Sequence, residues 1–203
     1  MVPLTPFDPA LIDSMLQLDY AKLLLLSPRH DTTGAFLALL RSAKKSILIS
    51  IYGCTIKEVV DVLIEKHNAG VDVRILFDHT QACGLTERVQ VQRIADAKIR
   101  HWIGTSPVAR QILHAKVCIV DMVLVESGSW NYSDSGSKQF NTWILERCPD
   151  VAAKLTAYIE EIILWVEKNE PQWNTVTIPL SLDGVLLGAS QPKILVIEGV
   201  SPC

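Results

Sequence analysis

Between residues 46 and 103 the chain switches twice between a β-like and a helical hydrophobic period, and this alternation restricts the fold more than any other feature. Residues 46–52 (SILISIY) form a short, nearly continuous apolar run, the pattern of a buried strand. Residues 56–68 carry apolar side chains at helical spacing and stop at Gly70. Residues 71–77 (VDVRILF) return to the strand pattern, and residues 87–97 and 99–103 repeat the helix and the strand. A strand–helix–strand unit of this length joins parallel neighbours through a right-handed crossover. Two in succession predict an α/β domain with a mostly parallel or mixed β-sheet flanked by helices.

Beyond the turn at 104–107, residues 115–120 and 122–126 are expected to pair as a hairpin whose tight connection is Asp121-Met122. Residues 143–145 offer one more short strand. Leu155, Ile159, Ile162, Ile163 and Val166 recur at helical spacing, which predicts a long amphipathic helix over 151–168 covering one face of the sheet. Residues 31–45 predict another helix with Asp31 as its N-cap. With 203 residues the chain suits one domain with decorated ends. These are an N-terminal extension (1–30), the domain proper (31–170) and a C-terminal extension with short β-like pieces (171–203).

The first residues show neither a basic stretch nor a long apolar one, and the leucine run at 23–26 is too short to span a bilayer. A cytoplasmic protein without stable membrane insertion is expected. Cys54, Cys83, Cys118, Cys148 and Cys203 are scattered without a CxxC pair, which predicts free thiols and no zinc cluster. A net charge of -3 argues against a surface coated in cations for indiscriminate nucleic-acid binding. Basic residues nevertheless gather at Arg88, Arg93, Lys98, Arg100, Arg110 and Lys116, against Asp96 alone. Two readings of that run stay open: a locally positive cleft, or solvated helix charge without function.

The residues that carry chemistry are His114, Lys116, Asp121, Gly128, Ser129 and Asn131. Strand alternation points His114 and Lys116 to one side, and the returning strand brings Ser129 and Asn131 back beside them. Gly128 is expected to let the backbone approach a ligand. An imidazole, an ammonium, a hydroxyl and a carboxamide then converge, a set suited to a phosphodiester. Lys116, Ser129 and Asn131 would hold the non-bridging oxygens and stabilise charge on five-coordinate phosphorus without a metal or other cofactor. His114 is the group that can act as nucleophile or move protons near neutral pH. Each residue alone has an ordinary structural reading. Six at fixed spacing recur by chance in on the order of one chain in a million.

In these residues the sequence resembles the phospholipase D superfamily, whose signature is His-x-Lys, four residues, Asp, six residues, Gly-Ser-x-Asn. The resemblance runs more loosely from 31 to 167, where residues 47–52 and 68–78 look like the family's small nuclease branch. It implies a phospholipase D-like fold and a phosphohistidine intermediate on one histidine, with a second histidine protonating the leaving oxygen and then activating water. Only one such motif occurs in this sequence, so a homodimer would complete the site. By the same resemblance Asp121 does not touch substrate and ends its strand at the hairpin. A glutamate usual in that branch is absent from residues 137–143, where Asn141 is the candidate acceptor for the imidazole N–H. The expectation is a metal-independent endonuclease with DNA or RNA as substrate. The alternatives are a phospholipase acting on lipid phosphodiesters and a binding module that has lost turnover.

Other residues carry weaker signals. Asp78, His79 and Cys83 have the spacing of a metal corner but no second ligand pair, so no metal site is expected. Asp78 and His79 follow a parallel strand and could equally line the rim of the site or lie on the surface. Trp130 and Tyr132 are candidates for stacking on a base, with core packing the expected role of at least one. His30, His67 and His101 are read as solvated or structural.

Overall fold

The computed structural model describes residues 4–174. In chain order it contains α1 (Ala10–Leu16), β1 (Ala21–Ser27), α2 (Thr32–Ser42), β2 (Ser46–Ile51), α3 (Lys57–Asn68), β3 (Asp72–Asp78), α4 (His79–Ala82), α5 (Glu87–Asp96), β4 (Arg100–Gly104), β5 (Lys116–Val120), β6 (Leu124–Gly128), α6 (Asp134–Lys138), β7 (Asn141–Arg147), α7 (Pro149–Asn169) and α8 (Pro171–Asn174). Seven strands form one sheet in the order β1-β7-β6-β5-β2-β3-β4. The two predicted crossovers are present, and β2, β3 and β4 run parallel. Every other pairing is antiparallel, so the sheet is mixed, with β2 as the strand where the two halves meet.

Burial follows from that central place. Five of the six residues of β2 are buried, because α2, α3 and α5 cover one face and α7 the other. Phe36, Ile49, Val59, Ile75, Ile94 and Val120 belong to the larger core, and Leu48, Leu76, Ile119, Ile159 and Ile163 to the smaller one beneath α7. Asp31 caps α2 as expected, its carboxylate accepting from the Gly34 N–H at 2.7 Å.

Two stretches depart from expectation. The leucine run lies in β1, within the residues read as an extension, and β1 is in continuous antiparallel register with β7. Leu25 faces the core while Leu24 and Leu26 are exposed, the alternation of an edge strand. The β-like pieces expected in the last part of the chain lie outside the described residues. Among the thiols, Cys54, Cys118 and Cys148 are free, whereas Cys83 is disulfide-bonded, a correction that sequence spacing had no means to supply. No helix among the described residues is long and apolar enough to cross a membrane.

The β5–β6 hairpin turns on Asp121 and Met122, both at positive φ (53° and 59°), with the Val123 N–H donating to the Val120 carbonyl at 3.0 Å. Asp121 and Met122 are the central residues of a tight turn built without glycine, and because the register pairs Val120 with Leu124 the connection is three residues long, 121–123, rather than the two expected. The Asp121 carboxylate accepts from the backbone N–H groups of Lys44, Lys45 and Ser46 at 2.7–2.8 Å. These bonds tie the hairpin to the start of β2 and offset the turn's conformational cost. The end of β2 near which His114 and Lys116 lie is roughly 20 Å away along the strand.

Candidate active site

The site forms where β2 and β3 end and β5 begins. The N–H of Tyr52, the residue after β2, donates to the Ala115 carbonyl at 2.9 Å, which extends the β2–β5 pairing by one step. His114 is the next residue out, and it is exposed. Its approach is set one residue earlier, where buried Leu113 donates its N–H to Asp78 Oδ2 at 2.9 Å. The other oxygen, Oδ1, caps α4 through the Thr80 N–H at 2.9 Å and the Gln81 N–H at 3.2 Å, and also accepts from the Thr80 hydroxyl. Asp78 is therefore neither a rim nor a surface residue: it is fully buried and anchors the segment that delivers His114.

Lys116 opens β5, and its side chain is drawn inward to 6% exposure. Nζ donates to the His114 carbonyl at 2.9 Å and lies 4.9 Å from the centre of the Tyr52 ring. The His114 imidazole packs on the same ring, with centroids 4.7 Å apart. Burial lowers the Lys116 pKa, and the nearby Asp78 carboxylate acts against that shift. The bond to the His114 carbonyl uses one of the three ammonium protons, which leaves two for other acceptors. The expected convergence of His114 and Lys116 is present, organised by a tyrosine that sequence reasoning missed. Its signal was its place at the C-terminal end of a central parallel strand, where ligands of open α/β sheets bind.

Ser129 follows β6. Its Oγ donates to Asn141 Oδ1 at 3.0 Å and accepts the Thr142 N–H at 3.0 Å. Asn141 Nδ2 in turn donates to the Gly136 carbonyl at 2.9 Å. Asn141 thus orients the Ser129 hydroxyl rather than the imidazole for which sequence reasoning considered it. Asn131 is brought beside Tyr52 because the chain at Gly53 and Thr55 bonds to the Tyr132 backbone at 2.8–2.9 Å. Its Oδ1 is buried without a hydrogen-bond partner. Gly128 is required for a different reason from the one expected: a Cβ there would stand 2.2 Å from the Thr142 carbonyl oxygen. The missing side chain lets β6 and β7 approach each other, not a ligand. Trp130 and Tyr132 are both fully buried against Phe36, which leaves neither for stacking on a base.

Two buried carboxyls also escaped the sequence reading. Glu87 is 2% exposed, accepts the Cys54 N–H at 2.8 Å, and is pushed up to about 7 by burial. Glu126 is fully buried, accepts from the Tyr132 hydroxyl at 2.9 Å, and burial pushes it up to about 8. The signal at Glu126 was a charge at an inward position of an alternating strand, shared with Leu124. Beside Tyr52 and Asn131 an open cleft of about 310 Å³ extends to Gln81, Leu85 and Glu87. The basic run divides. Arg93 pairs with Asp61 and Arg100 with Asp72, and Lys98 and Arg100 sit at the opposite end of the sheet. Arg88, in the first turn of α5, and Arg110, on the β4–β5 connection, are exposed.

A family model described as "Cardiolipin synthase, PLD-like domain" matches residues 36–163. The mitochondrial cardiolipin hydrolase of Chlamydomonas reinhardtii is 33% identical over 98 residues, 48% of this chain and 42% of that protein. A phospholipase D of Rickettsia prowazekii (strain Madrid E) is 31% identical over 114 residues, 56% of this chain and 53% of that protein. The chain spans about half the length of the curated relatives it matches. Among solved structures, the phospholipase D family member NUC from Salmonella typhimurium superposes with a TM-score of 0.65 at 26% identity, covering 70% of this chain and 93% of that one. NucT from Helicobacter pylori reaches 0.64 at 19% identity over 71% and 96%, a likeness of fold. The family match runs over more than half of the chain and contains every residue from Tyr52 to Asn141 that builds the site, so this protein belongs to the phospholipase D superfamily through its PLD-like domain.

Proposed function

We propose that this phosphodiesterase of the phospholipase D superfamily cleaves nucleic acid without a metal, through a phosphohistidine on His114, with a second copy of the chain completing the site. The observation that carries the reading is one exposed imidazole packed with one buried ammonium on the Tyr52 ring, in a sequence that holds a single His-x-Lys motif. The His114 imidazole nitrogen attacks phosphorus as the bond to the leaving oxygen breaks. Lys116 and the Asn131 carboxamide N–H groups hold the non-bridging oxygens, joined by Ser129 when its hydroxyl turns from Asn141 Oδ1 to the phosphate. The leaving alkoxide takes its proton from the imidazolium of the second copy's His114. That imidazole, now neutral, takes a proton from water, whose oxygen attacks the phosphohistidine, releases the phosphomonoester and frees His114. Identical residues meet across one phosphate when two chains are related by a twofold axis.

A second reading, cleavage of a lipid phosphodiester, is favoured by exposed apolar residues on the connections around the site. These are Leu85 at 80%, Val108 at 62% and Phe140 at 96% exposure, and Arg88 and Arg110 are exposed as well. One experiment separates the readings: wild type and His114→Ala are incubated in excess EDTA with labelled DNA, labelled RNA and cardiolipin vesicles. Cleavage of nucleic acid by wild type alone is the expected result. Cleavage of vesicles alone selects the lipid reading. Binding of DNA without cleavage by either protein overturns the enzymatic one.

A further inference from the structure

We propose that the cleft beside Tyr52 is a subsite for the nucleobase next to the scissile phosphate, and that Glu87 and Asn131 select a base bearing an exocyclic amino group. This rests on the nucleic-acid reading above and adds to it a position and a preference. The cleft is continuous with the reactive residues, since Tyr52 and Asn131 belong to both. A phosphate held at Lys116 and Ser129 would therefore place its neighbouring nucleoside there. The volume of about 310 Å³ falls in the range of small-ligand sites. Its lining is of mixed character, an aromatic ring at Tyr52 and an isobutyl group at Leu85 with polar groups between, as a flat heterocycle with polar edges requires.

Two residues of its lining each carry a buried acceptor oxygen that is left over. Glu87 Oε2 is engaged by the Cys54 N–H, while Oε1 has no partner. Asn131 Oδ1 is likewise buried and unpartnered. Native proteins leave few buried polar atoms unsatisfied, and two on residues lining one cleft point to a ligand that donates to both. An amino group on cytosine or adenine has two N–H donors, whereas thymine and uracil present a carbonyl at the corresponding edge. Glu87 also makes the preference reversible by design. In Glu87→Gln the carboxamide oxygen must stay on the Cys54 N–H, because the NH2 group would oppose that donor. The NH2 group therefore takes the place of Oε1, and an acceptor becomes a donor.

The test is binding of dCMP and dTMP at pH 8, where Glu87 is chiefly ionised, to full-length His114→Ala and to His114→Ala/Glu87→Gln, by calorimetry. Near-ultraviolet circular dichroism verifies that both variants are folded. The expected result is dCMP bound about tenfold more tightly than dTMP, the size of one charge-assisted hydrogen bond in a partly wet site, with the ratio reversed by Glu87→Gln. Equal affinities in the first protein, or an unchanged ratio in the second, overturn the subsite. If DNA is cut yet neither nucleotide discriminates, the subsite fails alone; if vesicles are cut and DNA is neither cut nor bound, the functional reading fails and the subsite with it.

Discussion

Glu126→Gln should leave stability nearly unchanged at pH 5 and raise it at pH 9. Glu126 sits within β6 with no exposed surface. One oxygen accepts from the Tyr132 hydroxyl, the other has no partner, and burial lifts its titration from the ordinary 4.5 to about 8. A folded-state pKa raised above the unfolded value favours folding fully below about 4.5, and the contribution is lost as pH rises through about 8. Each unit of separation corresponds to about 1.4 kcal/mol, so the loss across the interval is on the order of 2–5 kcal/mol once water entry around the buried charge is allowed for. Glutamine cannot ionise. At acid pH its NH2 group and the protonated carboxyl direct an unpartnered donor the same way, so wild type and variant should then agree. Urea unfolding at each pH unit from 5 to 9 measures the difference. Glu87, also pushed up to about 7, bends both curves equally and cancels. The gap between the proteins should widen from pH 5 to 8 and then level off; parallel curves would refute the assignment of a neutral carboxyl at Glu126, beside the Tyr132 hydroxyl.

Other consequences of the geometry are open to direct measurement. His114→Ala should abolish turnover and covalent phosphate labelling, and because the residue is exposed, its urea unfolding free energy should stay within about 0.5 kcal/mol of wild type. Lys116→Ala should lower kcat by about 10²–10³-fold in a steady-state assay. Because burial lowers the Lys116 pKa, the alkaline loss of wild-type activity should begin below the pH at which an ordinary lysine titrates. Asp78→Asn should speed amide hydrogen exchange at Leu113 and reduce kcat by about tenfold or more, because a carboxamide cannot accept on both sides. Asp121→Ala removes three backbone hydrogen bonds at a positive-φ turn. It should cost about 3 kcal/mol in urea unfolding while kcat of the folded protein is kept.

The sequence carried what is local. Period changes of 3.6 and 2 marked β2, α3, β3, α5 and β4 to within a residue or so, and Asp31 was legible as a cap, because each depends only on near neighbours in the chain. The packing of His114 with Lys116 could be anticipated because the two stand two residues apart at the start of one strand, beside the end of β2. β1 was missed because a strand of four leucines at a sheet edge has no distinguishing length. What only the tertiary structure decided are relations across long separations. Asp78 holds Leu113 from 35 residues away, Glu87 meets Cys54 from 33 away, and Asp121 bonds to 44–46 across the sheet. Gly128 answers to a backbone on β7 rather than to a ligand. Pairing partners and desolvation are properties of the packed sheet: a carboxylate is an anchor, a cap or a buried neutral acid according to which distant strand comes to lie against it, and residue spacing alone holds no record of that choice.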